Sequence, residues 1–206
     1  MRRRGAFLAA LLCLAVAAAC SNGGDKGAAG RATTTTETPV PIAFRTTAFD
    51  VEAAADPAAG AASGAQAGIE ATLNQWLELA VLGPLRSGQP AGDIGPVFTA
   101  AAGERIATTA DRAAFVDEGL PPVQSMRAGT ASLAMTALID PDGTIPVVAV
   151  HLDLTLGGTV EGTPFGVEHT GDLFMIPEGD AWRIDGYDVR ATRATAGATT
   201  TTTAAG

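Results

Sequence analysis

The chain has 206 residues, a formal net charge of −9 and an apolar composition of 47%. Its length accommodates one domain of ordinary size with tails. The negative charge repels phosphate backbones and anionic headgroups, which argues against nucleic-acid binding and against peripheral adsorption to a membrane surface. The chain has two cysteines, Cys13 and Cys20, so the remainder has no disulfide, thiol nucleophile or cysteine-based metal site.

The amino terminus is typical of an export signal. In residues 1–19, three arginines follow Met1, and an apolar run from Ala6 to Ala19 then follows that is too short for a membrane span. Small residues then precede Cys20. This pattern resembles the bacterial lipoprotein signal. The resemblance implies that Cys20 receives a diacylglycerol, that fatty acid such as palmitate is added, and that the chain is anchored to the extracytoplasmic face of the cell membrane.

Two alternatives for the amino terminus stay open, an ordinary secretory signal cleaved after Ala19 and an uncleaved anchor. Residues 20–62 are rich in Gly, Ala and Thr and are predicted to form the lipidated amino terminus and a flexible tether. Four apolar residues interrupt this tether. We interpret them as an extended arm that docks on the domain; they are Ile42, Phe44, Phe49 and Val51.

The predicted domain spans residues 63–190, and its first half is predicted to be helical. Ser63 and Gln66 have the spacing of a capping box, which predicts the start of the first helix. A stripe of apolar residues with helical spacing follows. Gly83-Pro84 is predicted to end this helix. Shorter helices are predicted after Asp93 and from Ala110 to Glu118. The charged residues of this last segment are predicted to form a solvated face; they are Asp111, Arg112, Asp117 and Glu118.

From residue 123 onward the apolar period is two, which predicts strands. Four long antiparallel strands follow one another, and the last two form a hairpin from Thr163 to Arg190. The apolar phase changes at Asp185-Gly186, which predicts a bulge. The predicted class is therefore α+β, with helices packed in a curved four-strand antiparallel sheet. Residues 191–206 are predicted to be a disordered tail.

Residues 63–190 resemble the nuclear transport factor 2-like superfamily, also described as SnoaL-like or cystatin-like. The resemblance rests on the order of elements, on Gly171-Asp172-Leu173-Phe174 and on Trp182-Arg183-Ile184. It implies a cone in which a curved sheet wraps round a long helix and leaves a pocket at its open end. Members of the superfamily include isomerases, cyclases, dehydratases and transport or assembly subunits, so the resemblance does not decide a function.

His169 is the main candidate for a functional side chain, because its strand parity points it inward. Enzymes of this superfamily use a carboxylate or a histidine inside the cone, so the catalytic candidates are His169, Asp185 and Tyr187. The residues predicted to line a pocket are Trp76, His169, Trp182 and Tyr187. A structural role for His169 is the alternative. His151 faces the opposite side of its strand, so we predict no metal site, and no phosphate-binding loop or other cofactor motif is present.

We therefore expect a lipid-anchored binding or interaction domain of the cell envelope that is not an enzyme. Its partner would be a small apolar molecule or an envelope protein. Two alternatives are kept, a small isomerase or dehydratase with an acid–base pocket and a module that forms a homodimer through the outer face of its sheet.

Overall fold

The structure is a computed structural model that describes residues 41–53, 56–195 and 197–206. Over these residues the fold is α+β, as predicted, with a few helices and one six-stranded, mostly antiparallel sheet. The predictions for the signal peptide, for Cys20 and for the tether as far as residue 40 lie outside the described residues.

The sheet has six strands, so the predicted count of four was wrong. The strands are β1 (Arg45–Ala53), β2 (Gln124–Ile139), β3 (Val147–Val160), β4 (Thr163–Glu178), β5 (Ala181–Thr195) and β6 (Ala198–Ala205). They lie side by side in chain order. β1 runs parallel to β2, and every other neighbouring pair is antiparallel.

The prediction of a disordered tail over residues 191–206 was wrong. β5 continues to Thr195, and β6 returns beside it in antiparallel pairing. Only Ala204 of β6 is buried, which explains why apolar alternation did not reveal the strand. Threonine has high β propensity, and backbone pairing with β5 satisfies hydrogen-bonding groups without a large apolar face.

The prediction of a flexible tether over residues 20–62 was wrong where β1 forms. The interpretation of a docked arm is confirmed for Phe44, which is buried and stacks on Trp76 with ring centroids 6.1 Å apart. Asn74 Oδ1 accepts a hydrogen bond from the Phe44 N–H at 2.7 Å. Val51, by contrast, is exposed. Ile42 and Phe49 are partly buried against the core, and backbone pairing with β2 holds the arm as far as Ala53.

The first long helix has three consecutive parts, α1 (Ala61–Trp76), a π-helical segment (Leu77–Leu82) and α2 (Gly83–Ser87). The predicted N-cap at Ser63 was wrong, because Gly60 takes that position with φ of 80°. Glycine adopts this left-handed conformation at little cost. The Ser63 hydroxyl instead donates to the Gly60 carbonyl at 3.1 Å.

The predicted end at Gly83-Pro84 was also wrong. A proline inside an α-helix clashes with the carbonyl four residues earlier and donates no hydrogen bond. Here the preceding turn is widened, and the Gly83 N–H donates to the Glu78 carbonyl five residues earlier. The wider turn accommodates Pro84, and the helix continues to Gly88, which is left-handed with φ of 67°.

The remaining helical elements are a 3₁₀ turn (Gly95–Val97), α3 (Ala100–Thr108) and α4 (Arg112–Phe115). α3 was not predicted, and α4 is shorter than the predicted helix. The Thr99 hydroxyl caps α3 by accepting from the Ala102 N–H at 3.3 Å. The Thr99 N–H donates to the Ile184 carbonyl of β5 at 2.9 Å, which attaches α3 to the sheet.

α1 packs on the inner face of the sheet, mainly against β5. The Thr72 hydroxyl donates to the Trp182 carbonyl at 2.9 Å. The predicted bulge is confirmed, because Phe174 pairs with Gly186 and Met175 with Ile184, which leaves Asp185 as the extra residue. The inner-face residues predicted by alternation are buried; they include Leu133, Met135, Val148, Val150, Leu152, Leu154, Leu173 and Met175.

Candidate functional site

Three side chains form a charged network that begins inside the core, and we call it the buried network: Asp117, His169 and Arg193. The side chains of His169 and Asp117 are 0% exposed. His169 Nε2 lies 2.6 Å from Asp117 Oδ2, and Arg193 Nε donates to Asp117 Oδ1. The Arg193 side chain is 17% exposed. The network therefore runs from the centre of the fold to its surface.

The π-helical segment positions Asp117. Because Pro84 has no N–H, the Ala80 carbonyl receives no hydrogen bond from the residue four positions later. The Asp117 N–H donates to this carbonyl at 2.9 Å. The Gly92 N–H likewise donates to the Leu79 carbonyl at 3.0 Å. The irregular helix therefore anchors the loop that carries Asp117 into the core.

β4 supplies His169 on its inner face, so the inward orientation predicted from alternation is confirmed. The imidazole packs edge-on against Trp76, with ring centroids 5.6 Å apart and planes at 83°. Trp76 Nε1 in turn donates to the Phe115 carbonyl at 3.0 Å. Two of the predicted pocket residues, Trp76 and His169, are therefore in contact, and they fill the core at this point.

β5 supplies Arg193 from its inner face, two residues beyond buried Ala191. Arg193 Nη2 donates to the Ala113 carbonyl at 3.0 Å and to the Val116 carbonyl at 2.7 Å. These carbonyls lie at the carboxyl end of α4, where helical carbonyls lack donors and a cation is favoured. Bonds to Asp117 and to two carbonyls therefore hold the guanidinium in one orientation.

The network contains an ionised carboxylate. Burial by itself raises the pKa of Asp117, but the neighbouring His169 and Arg193 outweigh burial, so this pKa lies below its ordinary value. A carboxylate only accepts hydrogen bonds, so His169 Nε2 carries the proton that lies between them. His169 Nδ1 is buried without a hydrogen-bond partner among the described residues. In the neutral tautomer this nitrogen is an acceptor without a proton.

The exposed end of Arg193 lines a cleft of about 400 Å³. Arg112 and Glu118 contribute charge to this cleft, and their side chains approach to 3.6 Å. Arg193 Nη1 makes no hydrogen bond within the described residues, while Nε and Nη2 are both engaged. The lining residues are Thr109, Ala110, Arg112, Ala113, Val116, Glu118 and Arg193.

Asp185 and Tyr187 are not brought together with His169 by hydrogen bonds. Asp185 Oδ1 accepts from the Thr99 hydroxyl at 2.9 Å, and the Asp185 carbonyl accepts from Arg105 Nη2 at 2.9 Å. These bonds attach α3 to the bulge of β5. The fourth predicted pocket residue, Trp182, packs beside α1 at Gly68.

The Tyr187 hydroxyl donates to Asp111 Oδ2 at 2.9 Å. Its ring packs edge-on against Phe115 with centroids 5.1 Å apart, and the Arg105 guanidinium lies 5.8 Å from the ring centroid. Burial raises the pKa of Tyr187, and the bond to Asp111 raises it further. Tyr187 is therefore a neutral donor at neutral pH.

The second histidine lies on the outer face of the sheet, as its parity predicted. His151 Nδ1 is 2.8 Å from Asp172 Oδ1, and both side chains are more than half exposed. The two histidines therefore belong to opposite faces. In the part of the chain that the structure describes, no group of three or more His, Cys, Asp or Glu side chains is arranged to hold a metal ion.

Two members of the buried network were missed from the sequence. Asp117 was predicted to be solvated, because it lies in a charged segment beyond a short helix. Arg193 lay in the predicted tail, although Tyr187, Val189 and Ala191 continue the inner-face alternation directly to it. Extending this parity by one step would have placed Arg193 on the face of His169. Nothing comparable marks Asp117.

The comparisons with known proteins identify no relative. No protein-family model, curated protein or solved structure matches this chain. The nuclear transport factor 2-like resemblance therefore stays a prediction. Among the described residues, no helix is both long and apolar enough to cross a membrane.

Proposed function

We propose that this chain is a lipid-anchored binding domain on the extracytoplasmic face of the cell membrane, and that it is not an enzyme. The proposal includes the lipoprotein signal at Cys20 and a cone-shaped, nuclear transport factor 2-like domain on a stalk. The observation that carries the preference for binding is the burial of His169. Its Nε2 is occupied by Asp117, and Trp76 packs on its ring, so a substrate in solution has no route to the imidazole.

The rival enzyme requires an accessible acid–base pair. A general base must come within hydrogen-bond reach of the proton that it removes. Asp185 and Tyr187 are instead bonded to Thr99 and Asp111. The arrangement favours a structural role for each of these groups.

Chemical modification tests this preference, because the chain has two histidines that differ in exposure. Diethyl pyrocarbonate acylates accessible imidazoles. We expect His151 to react rapidly in the native protein and His169 to react only after unfolding in urea, as followed by peptide mass spectrometry. Modification of native His169 at the rate of His151 would contradict the proposal.

Metabolic labelling tests the anchor. We expect labelled palmitate to be incorporated into the wild-type chain and not into a Cys20→Ala variant. Cys13→Ala is the matched control, because it removes the other cysteine and leaves the signal pattern intact. Labelling that survives Cys20→Ala would show that the anchor is elsewhere or absent.

The cleft beside Arg193 is the binding site that we propose. Its volume of about 400 Å³ is within the usual range for small-molecule pockets. Ala110, Ala113 and Val116 supply apolar surface. Arg193 Nη1 has no hydrogen-bond partner among the described residues, and the guanidinium that carries it is already fixed. A fixed donor loses little conformational freedom on binding. The preferred ligand therefore has an apolar body and one anionic group, such as a carboxylate.

Benzoate is the simplest probe of this site, and benzamide is its uncharged control. We expect benzoate to cause saturable amide shifts in nuclear magnetic resonance spectra at Thr109, Ala113 and Val116. Benzamide should bind more weakly. Equal effects of the two compounds, or shifts elsewhere in the domain, would contradict a carboxylate site at Arg193.

A further inference from the structure

β6 is an edge strand whose outward-facing backbone groups can be identified. Tyr187 and Gly206 exchange two hydrogen bonds, with N–O distances of 2.8 and 2.9 Å. In an antiparallel pair such hydrogen-bonded positions recur at every second residue. Thr199, Thr201 and Thr203 fall between them. Their backbone N–H and C=O groups therefore point away from β5, and no other described residue pairs with them.

This edge lacks the devices that usually prevent edge-to-edge pairing. β6 contains no charged residue and no proline, and its pairing with β5 has no bulge. The opposite edge of the sheet differs. β1 carries Arg45, Asp50 and Glu52, and its register with β2 shifts between Thr46 and Ala48. Of the two sheet edges formed by the described strands, the β6 edge is therefore the one that is open to another strand.

We propose that β6 pairs antiparallel with β6 of a second copy of this chain, across a two-fold axis at Thr201. The sequence is symmetrical about this residue, so Thr199 faces the second copy's Thr203 and Thr200 faces its Thr202. A two-fold axis makes the same patch serve both copies. Cross-strand threonine pairs stabilise such a ladder. The two sheets then become one continuous sheet.

The charges beside the edge are compatible with this arrangement. Arg190 is a neighbour of Thr203 in β6. In the proposed register Thr203 lies opposite the second copy's Thr199, whose neighbour in β5 is that copy's Ala194. No like charge therefore lies in line with Arg190. The two β5 strands are about 14 Å apart, which exceeds the screening length of about 8 Å at physiological salt.

The paired surface is small, and a single strand pair buries less than the roughly 1,200 Å² of a stable interface. We therefore expect a reversible dimer that forms at high local concentration. Anchoring in a membrane, which is part of the proposed function, would raise that concentration. The pairing itself depends on neither the anchor nor the cleft.

Thr201→Pro tests the pairing, because it removes an outward N–H and leaves the bonds between β6 and β5 intact. Sedimentation equilibrium of the full chain in density-matched detergent measures the dissociation constant. We expect a monomer–dimer equilibrium for the wild type. Thr201→Pro removes one donor from each copy at the axis and should weaken the dimer at least about tenfold. Thr201→Val keeps the backbone donor and a β-branched side chain, so it should change the dissociation constant far less than Thr201→Pro.

A second variant keeps the test informative if Thr201→Pro unfolds. Thr201→Lys places two like charges across the axis, so it should weaken the dimer at low salt and recover at high salt. Phe174→Ser alters the exposed outer face of the sheet and should have no effect on association. A wild type that is monomeric at every concentration overturns the proposal, and so does a dimer that resists both Thr201→Pro and Thr201→Lys. Dissociation by Phe174→Ser alone would assign the interface to the outer face instead.

Discussion

Asp117 and Asp172 each accept a hydrogen bond from a histidine, but only Asp117 does so inside the core. Asp117→Asn leaves the Arg193 guanidinium without its counter-charge. Breaking a buried pair in this way costs about 3–5 kcal/mol. We expect a loss of that order in the free energy of unfolding, measured with urea. Asp172→Asn is the matched control and should leave stability nearly unchanged, since its pair is solvated.

Equal losses in the two variants would show that the burial of Asp117 does not matter. Larger damage from Asp172→Asn would contradict the buried network as the more important of the two histidine–aspartate pairs.

The depressed pKa of Asp117 predicts a pH dependence. A carboxylate whose pKa is lower in the folded state stabilises the fold at pH values above its unfolded pKa, near 3.9, and that contribution disappears as the pH falls through the folded value. The stability difference between the wild type and Asp117→Asn should therefore shrink as the pH falls below about 4. Urea unfolding at several pH values measures it. A difference that grows on acidification would contradict the sign of the shift.

For single residues, strand parity was the feature of the sequence that predicted the orientation of a side chain. It placed His169 inside and His151 outside, because side chains alternate between the faces of a strand. Asp117 has no such signal. It lies in a loop after α4, and the hydrogen bond that positions it reaches Ala80, far away in the sequence. Burial of a charge through a distant contact cannot be inferred from local pattern.

At the scale of elements, Gly171 sets the distance between β4 and β5. A Cβ at this position would lie 2.8 Å from Val189 Cα and would meet the Asp188 carbonyl, and the residue has φ of 152°. Gly171→Ala should destabilise the domain by about 2 kcal/mol or more, because backbone cannot move aside cheaply. Gly166→Ala on the same strand is the control, since its nearest neighbour is 3.8 Å away.

Thermal unfolding of the two glycine variants measures this effect. Similar melting temperatures for Gly171→Ala and Gly166→Ala would show that the two strands are not as closely spaced as described.

Among the elements, the helix stop was the most instructive error. Gly83-Pro84 is a sound local signal for termination. The chain overrides it by widening one turn, and it uses the Ala80 carbonyl to bind the Asp117 N–H instead. The bulge at Asp185 was predictable, because an inserted residue reverses the apolar phase and the reversal is visible in the sequence. A widened helical turn leaves no comparable trace.

At the scale of the whole molecule, truncation tests the finding that Ala198–Ala205 form β6 rather than a disordered tail. Truncation after Thr195 removes β6 and leaves the backbone groups of β5 unpaired. Removal of a disordered tail would be neutral, whereas loss of a hydrogen-bonded strand should lower the melting temperature by about 5 °C or more. Replacing Thr199 and Thr203 by serine keeps the backbone pairing and serves as the control. An unchanged melting temperature after truncation would contradict the presence of β6.

The class of the fold was predictable because large apolar residues recur with helical period before residue 90 and with period two after residue 123. The width of the sheet was not. β1 and β6 are held mainly by backbone pairing, and their sequences resemble linkers. Apolar patterns identify strands that bury many side chains and overlook strands that are held mainly by backbone hydrogen bonds.

The position of β1 at the edge of the sheet has a mechanical consequence. Any pull transmitted from the residues before Arg45 reaches the sheet at a strand with a neighbour on one side only. The first bonds to carry that load are those of Phe44 with Asn74 and of Thr46 with Glu70. β1 would therefore yield before the antiparallel strands, and the core round Trp76 would lose one stacked ring while the rest stayed folded.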